Sequence, residues 1–111
     1  MPTNAPMDVV VKRFLHDRLD LIRRVYAPQR LIVFGSRSVG LAREESDIDL
    51  IVVSEKFRGV TYPNRMGDFL IDIEPDVHVD AICYTPEEFD KALVAQSSFI
   101  RDAVAHGLQI E

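Results

Sequence analysis

Residues 35–50 read GSRSVGLAREESDIDL and lie between two short apolar runs. The first run is Leu31–Phe34, and the second continues from Leu50 to Val53. Continuous apolar runs of this length are typical of strands that are buried on both faces. The sequence therefore predicts two core strands whose connection begins, after Gly35, with a brief helix over about residues 37–41.

The turn at Gly35 and Ser36 is a candidate phosphate site. Where a strand leads into a helix, backbone N–H groups and the helix dipole can meet an anion, and a residue without Cβ lets that anion approach closely. The Ser36 hydroxyl adds a further donor. A strand-to-helix turn that contains glycine is also common without any ligand, so this turn alone does not predict a function.

Asp47 and Asp49 open the second predicted strand, which runs from Asp47 to Val53. Because they are two residues apart, both carboxylates project from one face, while Ile48 and Leu50 pack on the other. Two like charges this close repel by on the order of several kcal/mol at an effective dielectric of about 20, and a divalent cation or protonation relieves the repulsion. Mg²⁺ prefers oxygen ligands and keeps positions open for phosphates. The alternative is that both acids simply lie in water at the end of the strand.

Asp80 is a third acid of interest, in a predicted strand over Val77–Tyr84. A carboxylate within an apolar strand is costly unless it is paired, and Asp80 can join the first two acids if this strand lies beside the second. His78 lies on the same face and could contact a substrate or be a partly exposed structural residue.

Apolar spacing predicts three longer helices. The first is Met7–Tyr26, and the second is Pro63–Glu74, packing through Met66, Leu70 and Ile73. The third opens with a capping box at Thr85–Glu88 and runs through Phe89, Leu93, Gln96, Ile100 and Val104 to Gly107, with a break near Ser97–Ser98. Together these elements predict an α/β (α+β) fold, a small mixed sheet of three or more strands with helices packed on it, as a single domain over residues 1–111.

Composition limits the classes of function. The net charge is −5, with 11 basic and 8 acidic residues in 1–65 and 2 basic and 10 acidic residues in 66–111. This acidity argues against nucleic acid as the main ligand, whereas the acidic half could meet a basic partner or be a solvated surface. The sequence has no signal-peptide pattern and no apolar run near the roughly 20 residues that a membrane span needs. With Cys83 as its only cysteine, we expect a soluble cytoplasmic protein without membrane contact.

The combination of motifs resembles one family. Gly35-Ser36, then Asp47-Ile48-Asp49, then a later strand with Asp80 is similar to the signature of the DNA polymerase β nucleotidyltransferase superfamily, above all its minimal nucleotidyltransferases (MNT). The resemblance implies a polymerase β-like fold, in which Asp47, Asp49 and Asp80 are catalytic and bind Mg²⁺, with two ions expected, and Asp80 helps to activate the attacking hydroxyl. It implies that Gly35 and Ser36 hold the triphosphate and that Arg37 neutralises phosphate charge. Arg43 could do the same or pair with Glu44 or Glu45 at the surface.

The resemblance also implies a reaction and a partner. The expected reaction is transfer of a nucleoside monophosphate, AMP from ATP, to a hydroxyl. Larger relatives carry a further domain for the acceptor, so the acceptor expected here is a partner protein of the HEPN class, and the chain is then an antitoxin that silences this toxin. The main alternative is an inactive antitoxin that masks its partner by binding alone.

Two other interpretations are less consistent with the sequence. A phosphate-accepting signalling domain would need an aspartate at the end of the third strand, where this chain has Tyr84-Thr85-Pro86. Arg101 and His106 match the Arg-x4-His pattern of the HEPN nucleases. That domain is all-helical, however, and His106 beside Gly107 is better explained by the partial negative charge at a helix C-terminus.

Overall fold

The computed structural model describes residues 7–95 and 98–111, which form four helices and a four-stranded sheet. The helices are Val9–Tyr26 (α1), Tyr62–Ile73 (α2), Pro86–Val94 (α3) and Ser98–His106 (α4), and the strands are Arg30–Phe34 (β1), Ile48–Val53 (β2), Val79–Tyr84 (β3) and Leu108–Gln109 (β4). Two 3₁₀ turns cover Ser36–Ser38 and Glu55–Phe57. This arrangement confirms the predicted small mixed sheet with helices packed on it. None of the described helices is both long and apolar enough to cross a bilayer.

The strand order in the sheet is β3-β2-β1-β4. β1 runs antiparallel to β2 and β4, whereas β2 and β3 are parallel. A parallel pair requires a crossover connection, and α2 provides it here. The two strands predicted to carry the acids are therefore direct neighbours.

Alternating side chains divide the sheet into two apolar faces. One face packs against α1 and α2, through Leu31, Val33, Leu50 and Val52 of the central strands. The other face packs against α3 and α4 in a smaller cluster, which contains Ile32, Ile51, Val53, Phe89, Ile100 and Ala103. Ile48 is buried in the first cluster, so by the alternation in β2 Asp49 belongs to the second face, whereas Asp47 precedes the strand, which begins at Ile48 rather than at the predicted Asp47.

The first helix is close to its predicted range. Its N-terminus is capped by Asp8, whose side chain accepts hydrogen bonds from Val10 N at 2.9 Å and Val11 N at 3.1 Å. It ends at Tyr26, and the capping residue Ala27 adopts a left-handed conformation with φ 42°.

The packing face predicted for α2 is partly wrong. Arg65, Phe69 and Ile73 are its buried residues, whereas Met66 is 39% exposed. The Met66 sulfur accepts a hydrogen bond from Ala81 N at 3.4 Å, so this side chain covers the edge of β3 rather than joining the core. Arg65 takes an inward position because its guanidinium finds acceptors there, which apolar spacing does not reveal.

The helix predicted from Thr85 to Gly107, with a break near Ser97–Ser98, is two separate helices, Pro86–Val94 and Ser98–His106. α3 ends at Val94, and Ala95 is extended with ψ 150°. The Arg101 side chain donates to the Leu93 and Val94 carbonyls, which are left free where α3 ends. The predicted break near Ser97–Ser98 lies partly outside the described residues, which omit Gln96 and Ser97.

The chain continues beyond the predicted stop at Gly107 into a short strand. β4 pairs with β1 through Leu108 and Gln109. A Cβ atom on Gly107 would lie 2.4 Å from the Ala103 carbonyl oxygen and 2.8 Å from the Val33 carbonyl oxygen. Glycine is therefore required because α4 passes close to β1 here, and this short strand carried no sequence signal of its own.

Candidate functional site

The structure brings two of the three predicted acids into register. Asp49 lies opposite Phe34 of β1 on one side and opposite Asp80 of β3 on the other. Neighbouring strands are about 4.8 Å apart, so the Asp49 and Asp80 side chains leave the same face next to each other. Asp47 lies two residues before Asp49 and is exposed, as is Asp80, whereas Asp49 is half-buried. The three acids form a row at one end of the second face, which we call the carboxylate row.

The electrostatics of the carboxylate row concentrate on Asp49. Its pKa is raised above the usual value, first because burial removes water from the carboxylate and then because Asp80 and Asp47 add negative charge nearby. An acid in this position is stabilised by a proton or by a cation. The row therefore concentrates negative charge around Asp49, as the predicted cation site requires.

The carboxylate row is not a complete cage for a metal ion. Within residues 7–95 and 98–111, no group of three His, Cys, Asp or Glu side chains is placed so that the three could hold an ion together. Mg²⁺ does not need such a cage, because it is usually bound by one or two carboxylates together with substrate phosphates and water. The all-oxygen donors of Asp49 and Asp80 are consistent with that mode of binding.

Gly35 packs directly against the carboxylate row. Its φ is 79° and its ψ is −162°, a conformation that glycine adopts without strain. A Cβ atom on Gly35 would lie 2.2 Å from Oδ2 and 3.2 Å from Cγ of Asp49. The absence of a side chain on Gly35 therefore makes room for the Asp49 carboxylate. This close contact brings the turn and the acids together in one site.

The brief helix predicted over residues 37–41 is instead a single 3₁₀ turn at Ser36–Ser38. The Gly35 carbonyl accepts from the Ser38 hydroxyl at 2.7 Å and from Ser38 N at 3.0 Å. The Ser36 hydroxyl donates to no other group in the part of the chain that the structure describes. A turn this short has little dipole, so the predicted phosphate contact would rest on the Ser36 hydroxyl and backbone N–H groups.

Arg37 does not point toward the carboxylate row as a free cation. It is 6% exposed, and its guanidinium donates to the Asp8 carboxylate and to the carbonyls of Ser46, Arg43 and Glu44 at 2.9–3.2 Å. These contacts hold the segment before Asp47 against the start of α1. All three guanidinium nitrogens donate to protein groups, so Arg37 has a structural role here, and contact with a nucleotide stays a prediction.

Two further residues singled out in the sequence lie at the margin of the site. The Arg43 side chain is exposed, and among the described residues no ion pair joins it to Glu44 or Glu45. His78 is exposed just before β3, where its carbonyl accepts from Ile48 N at 2.9 Å. This hydrogen bond extends the pairing of β2 and β3 by one residue. His78 therefore contributes to the sheet through its backbone carbonyl.

Sequence reasoning missed two contributions to the site. Asp8 anchors Arg37, although its place before an apolar helical run was a recognisable capping signal. Phe99 of α4 packs edge-on against Phe34, with ring centroids 5.5 Å apart and planes at 86°. It belongs to a cleft beside Gly35 that only the packing of α4 on β1 creates.

Comparisons with known proteins identify a domain family and a shared fold. The model of the nucleotidyltransferase domain family matches residues 11–107. A Sulfolobus solfataricus protein provisionally assigned as a nucleotidyltransferase is 20% identical, with a TM-score of 0.51 over 77% of this chain and 72% of that chain, which shows a shared fold. A toxin-antitoxin crystallised with AMP-PNP is 20% identical over 94% of this chain and 72% of that chain, and its TM-score of 0.47 supports no further conclusion. No curated protein matches the sequence.

Proposed function

The chain belongs to the nucleotidyltransferase domain family, and from this premise we propose that it transfers a nucleoside monophosphate from a nucleoside triphosphate to a hydroxyl group. The observation that carries the proposal is the contact of Gly35 with Asp49, which lies in register with Asp80. A turn suited to phosphate and a pair of carboxylates suited to a cation thus share one surface. A Mg²⁺-triphosphate complex needs both.

Asp49 and Asp80 would hold Mg²⁺, and Asp47 would supply a third carboxylate. Two ions are expected in the complete site. When bound, they lower the pKa of the attacking hydroxyl and neutralise charge on the leaving oxygens. Ser36 and the backbone of its turn would hold the terminal phosphates.

The proposed reaction breaks one bond and forms one. The hydroxyl oxygen of the acceptor attacks the α-phosphorus, the bond from the α-phosphorus to the α,β-bridging oxygen breaks, and pyrophosphate leaves with that oxygen. The Asp80 carboxylate would accept the hydroxyl proton. The remaining contribution of the chain is to place the triphosphate and the acceptor in line.

We propose ATP as the nucleotide and a HEPN-type partner protein as the acceptor, which makes the chain an antitoxin. The resemblance to minimal nucleotidyltransferases supports this, and the exposure of Asp47 and Asp80 is consistent with an acceptor group on the surface of another protein. The alternative is an antitoxin that masks its partner by binding alone. Only the active form would modify the partner covalently.

Label transfer separates these two possibilities. The chain is incubated with Mg²⁺, a candidate HEPN partner protein, and ATP labelled at either the α- or the γ-phosphate. We expect the partner to gain label from the α-phosphate only. An antitoxin that neutralises its partner without transferring either label would contradict the proposed activity.

Asp80→Asn is the sharpest variant for this assay. Asparagine keeps the shape but loses the charge, so we expect kcat for transfer to fall at least about 100-fold, while KM for ATP changes little because Asp47 and Asp49 remain. Asp90→Asn is the matched control, because Asp90 is an exposed acid on α3. An Asp80→Asn variant that transfers at the normal rate would show that Asp80 is not part of the site.

A further inference from the structure

A cleft of about 380 Å³ opens between the 36–38 turn and α4. It is continuous with the carboxylate row, because Gly35 and Asp49 form part of its wall. Its size is within the range of small-molecule sites. A ligand that places a phosphate near Gly35 could therefore extend into this cleft.

The wall of the cleft is largely apolar and includes an exposed aromatic ring. Phe99 is 54% exposed and Val39 is 52% exposed, and they line the cleft together with Phe34 and Ala103. The edge-on contact with Phe34 fixes one side of the Phe99 ring. A large exposed aromatic ring beside a polar site is a surface on which a flat group can stack.

The charges in the cleft disfavour a phosphate there. Asp49 lies at one end of the cleft, and Asp102 lies with His106 on α4, 3.5 Å from Asp102 Oδ1 to His106 Nε2. The residues that line the cleft include no lysine or arginine among those described. An anion would meet two carboxylates with no lysine or arginine to offset their charge, whereas a neutral planar group would meet apolar walls together with the Asp102 and His106 pair.

We propose that this cleft binds the nucleobase of the nucleoside triphosphate, with the base stacked on Phe99. The inference rests on the proposed function, since it takes the triphosphate to lie on Gly35 and the carboxylate row. It adds a residue, Phe99, that recognises the nucleoside rather than the phosphates. The Asp102 and His106 side chains offer an acceptor and a donor for the polar edge of the base.

Tryptophan fluorescence provides a direct test, because the chain has no tryptophan. Phe99→Trp places a stacking fluorophore in the cleft, and Ile71→Trp places one on the exposed surface of α2 as a matched control. Mg²⁺-ATP should quench the fluorescence of Phe99→Trp in a saturable way, and Mg²⁺-tripolyphosphate should not. Ile71→Trp should respond to neither ligand.

Affinity measured by calorimetry completes the test. Phe99→Ala should weaken Mg²⁺-ATP binding roughly tenfold, as expected for loss of one base–aromatic stack, and leave Mg²⁺-tripolyphosphate binding unchanged. Ile71→Ala should leave both affinities unchanged.

Three results would overturn the inference. In the first, the unmodified chain binds ATP, but the fluorescence of Phe99→Trp is not quenched and the ATP affinity of Phe99→Ala is unchanged. The base then lies elsewhere and the proposed function stands. If tripolyphosphate quenches Phe99→Trp as strongly as ATP, the cleft binds phosphate. If the unmodified chain binds neither ligand, the proposed function fails together with the inference.

Discussion

At the scale of single residues, the tightest constraint in the site is the contact between Gly35 and Asp49. Two independent requirements coincide at this glycine, a positive φ and the absence of a Cβ atom where the Asp49 carboxylate lies. The sequence predicted that a phosphate approaches Gly35 closely. In the structure, the group that lies close to Gly35 is the carboxylate of Asp49 on the next strand. A substitution at this position therefore disturbs the carboxylate row directly.

Gly35→Ala should reduce both stability and activity. Alanine at φ 79° is strained, and its Cβ would overlap with Asp49 Oδ2, so the carboxylate must move. We expect the free energy of unfolding to fall by about 1–3 kcal/mol and the transfer rate to fall at least tenfold. Urea denaturation and the label-transfer assay measure the two effects.

Gly59→Ala is the matched control for this change. Gly59 has a similar φ of 84°, but nothing lies within 4 Å of the position its Cβ would take. The variant should lose stability through backbone strain while it keeps the normal transfer rate. Equal loss of activity in both variants would mean that the contact with Asp49 is not the cause.

At the scale of secondary-structure elements, Arg65 joins α2, β3 and α3. Its guanidinium donates to the Val60 carbonyl at 2.8 Å, to the Cys83 carbonyl at 3.2 Å and to both carboxylate oxygens of Glu88. Glu88 also accepts from Thr85 N at 2.8 Å and so completes the predicted capping box of α3. This junction holds the C-terminal end of β3 at Cys83, whereas Asp80 lies near the N-terminal end of the same strand.

The ion pair sets a pH dependence of stability. Hydrogen bonds from Arg65 lower the pKa of Glu88 from its usual 4.5 to about 2. A carboxylate whose pKa is lowered by folding stabilises the fold above its unfolded pKa, and this contribution is lost as the pH falls through the folded value. Glu88→Gln should therefore lower the free energy of unfolding by about 1 kcal/mol at neutral pH, a value reduced for the partial exposure of Glu88. The difference should disappear as the pH falls from about 4.5 to about 2.

Glu87→Gln tests whether the position of the charge matters. Glu87 lies in the same turn of α3 and pairs with Arg58, but both side chains are exposed. A surface pair of this kind contributes little, so unfolding curves should be nearly unchanged at every pH. If Glu87→Gln and Glu88→Gln lower the free energy of unfolding equally, then the burial of Arg65 does not strengthen its pair with Glu88.

The same region shows what apolar spacing can predict. Strands β1 and β2 follow from continuous apolar runs, because both faces of these strands are buried, and the first helix follows from apolar residues at helical spacing, because only one of its faces is buried. The inward position of Arg65 and the contacts of Arg37 could not be predicted in this way. Each depends on backbone carbonyls that come together only after folding. The two-residue β4 leaves too short a pattern to detect.

At the scale of the whole molecule, the two faces of the sheet differ in how fully they are covered. α1 and α2 close one face over a large core, whereas α3 and α4 pack on the other through a smaller cluster. Asp49 of β2 and Asp80 of β3 lie on this second face, and Asp80 is exposed there, as is Asp47 just before β2. The sequence predicted that Asp47 and Asp49 share a face, but only the strand order places Asp80 beside them.

This arrangement makes Asp49 the residue on which the proposed site depends most. It is the half-buried member of the row, it contacts Gly35, and its pKa is raised by burial and by its acidic neighbours. Binding of Mg²⁺ and nucleotide should therefore be coupled, since the cation offsets the repulsion and the triphosphate completes its coordination.

Calorimetric titration of a non-transferable ATP analogue into the unmodified chain and into Asp49→Asn tests this coupling. We predict binding in Mg²⁺, loss of binding in EDTA, and at least about tenfold weaker binding in Asp49→Asn with Mg²⁺. Asp90→Asn should behave like the unmodified chain. Equal affinity in Mg²⁺ and EDTA, or an unchanged affinity in Asp49→Asn, would contradict the assignment of the carboxylate row as a Mg²⁺-triphosphate site.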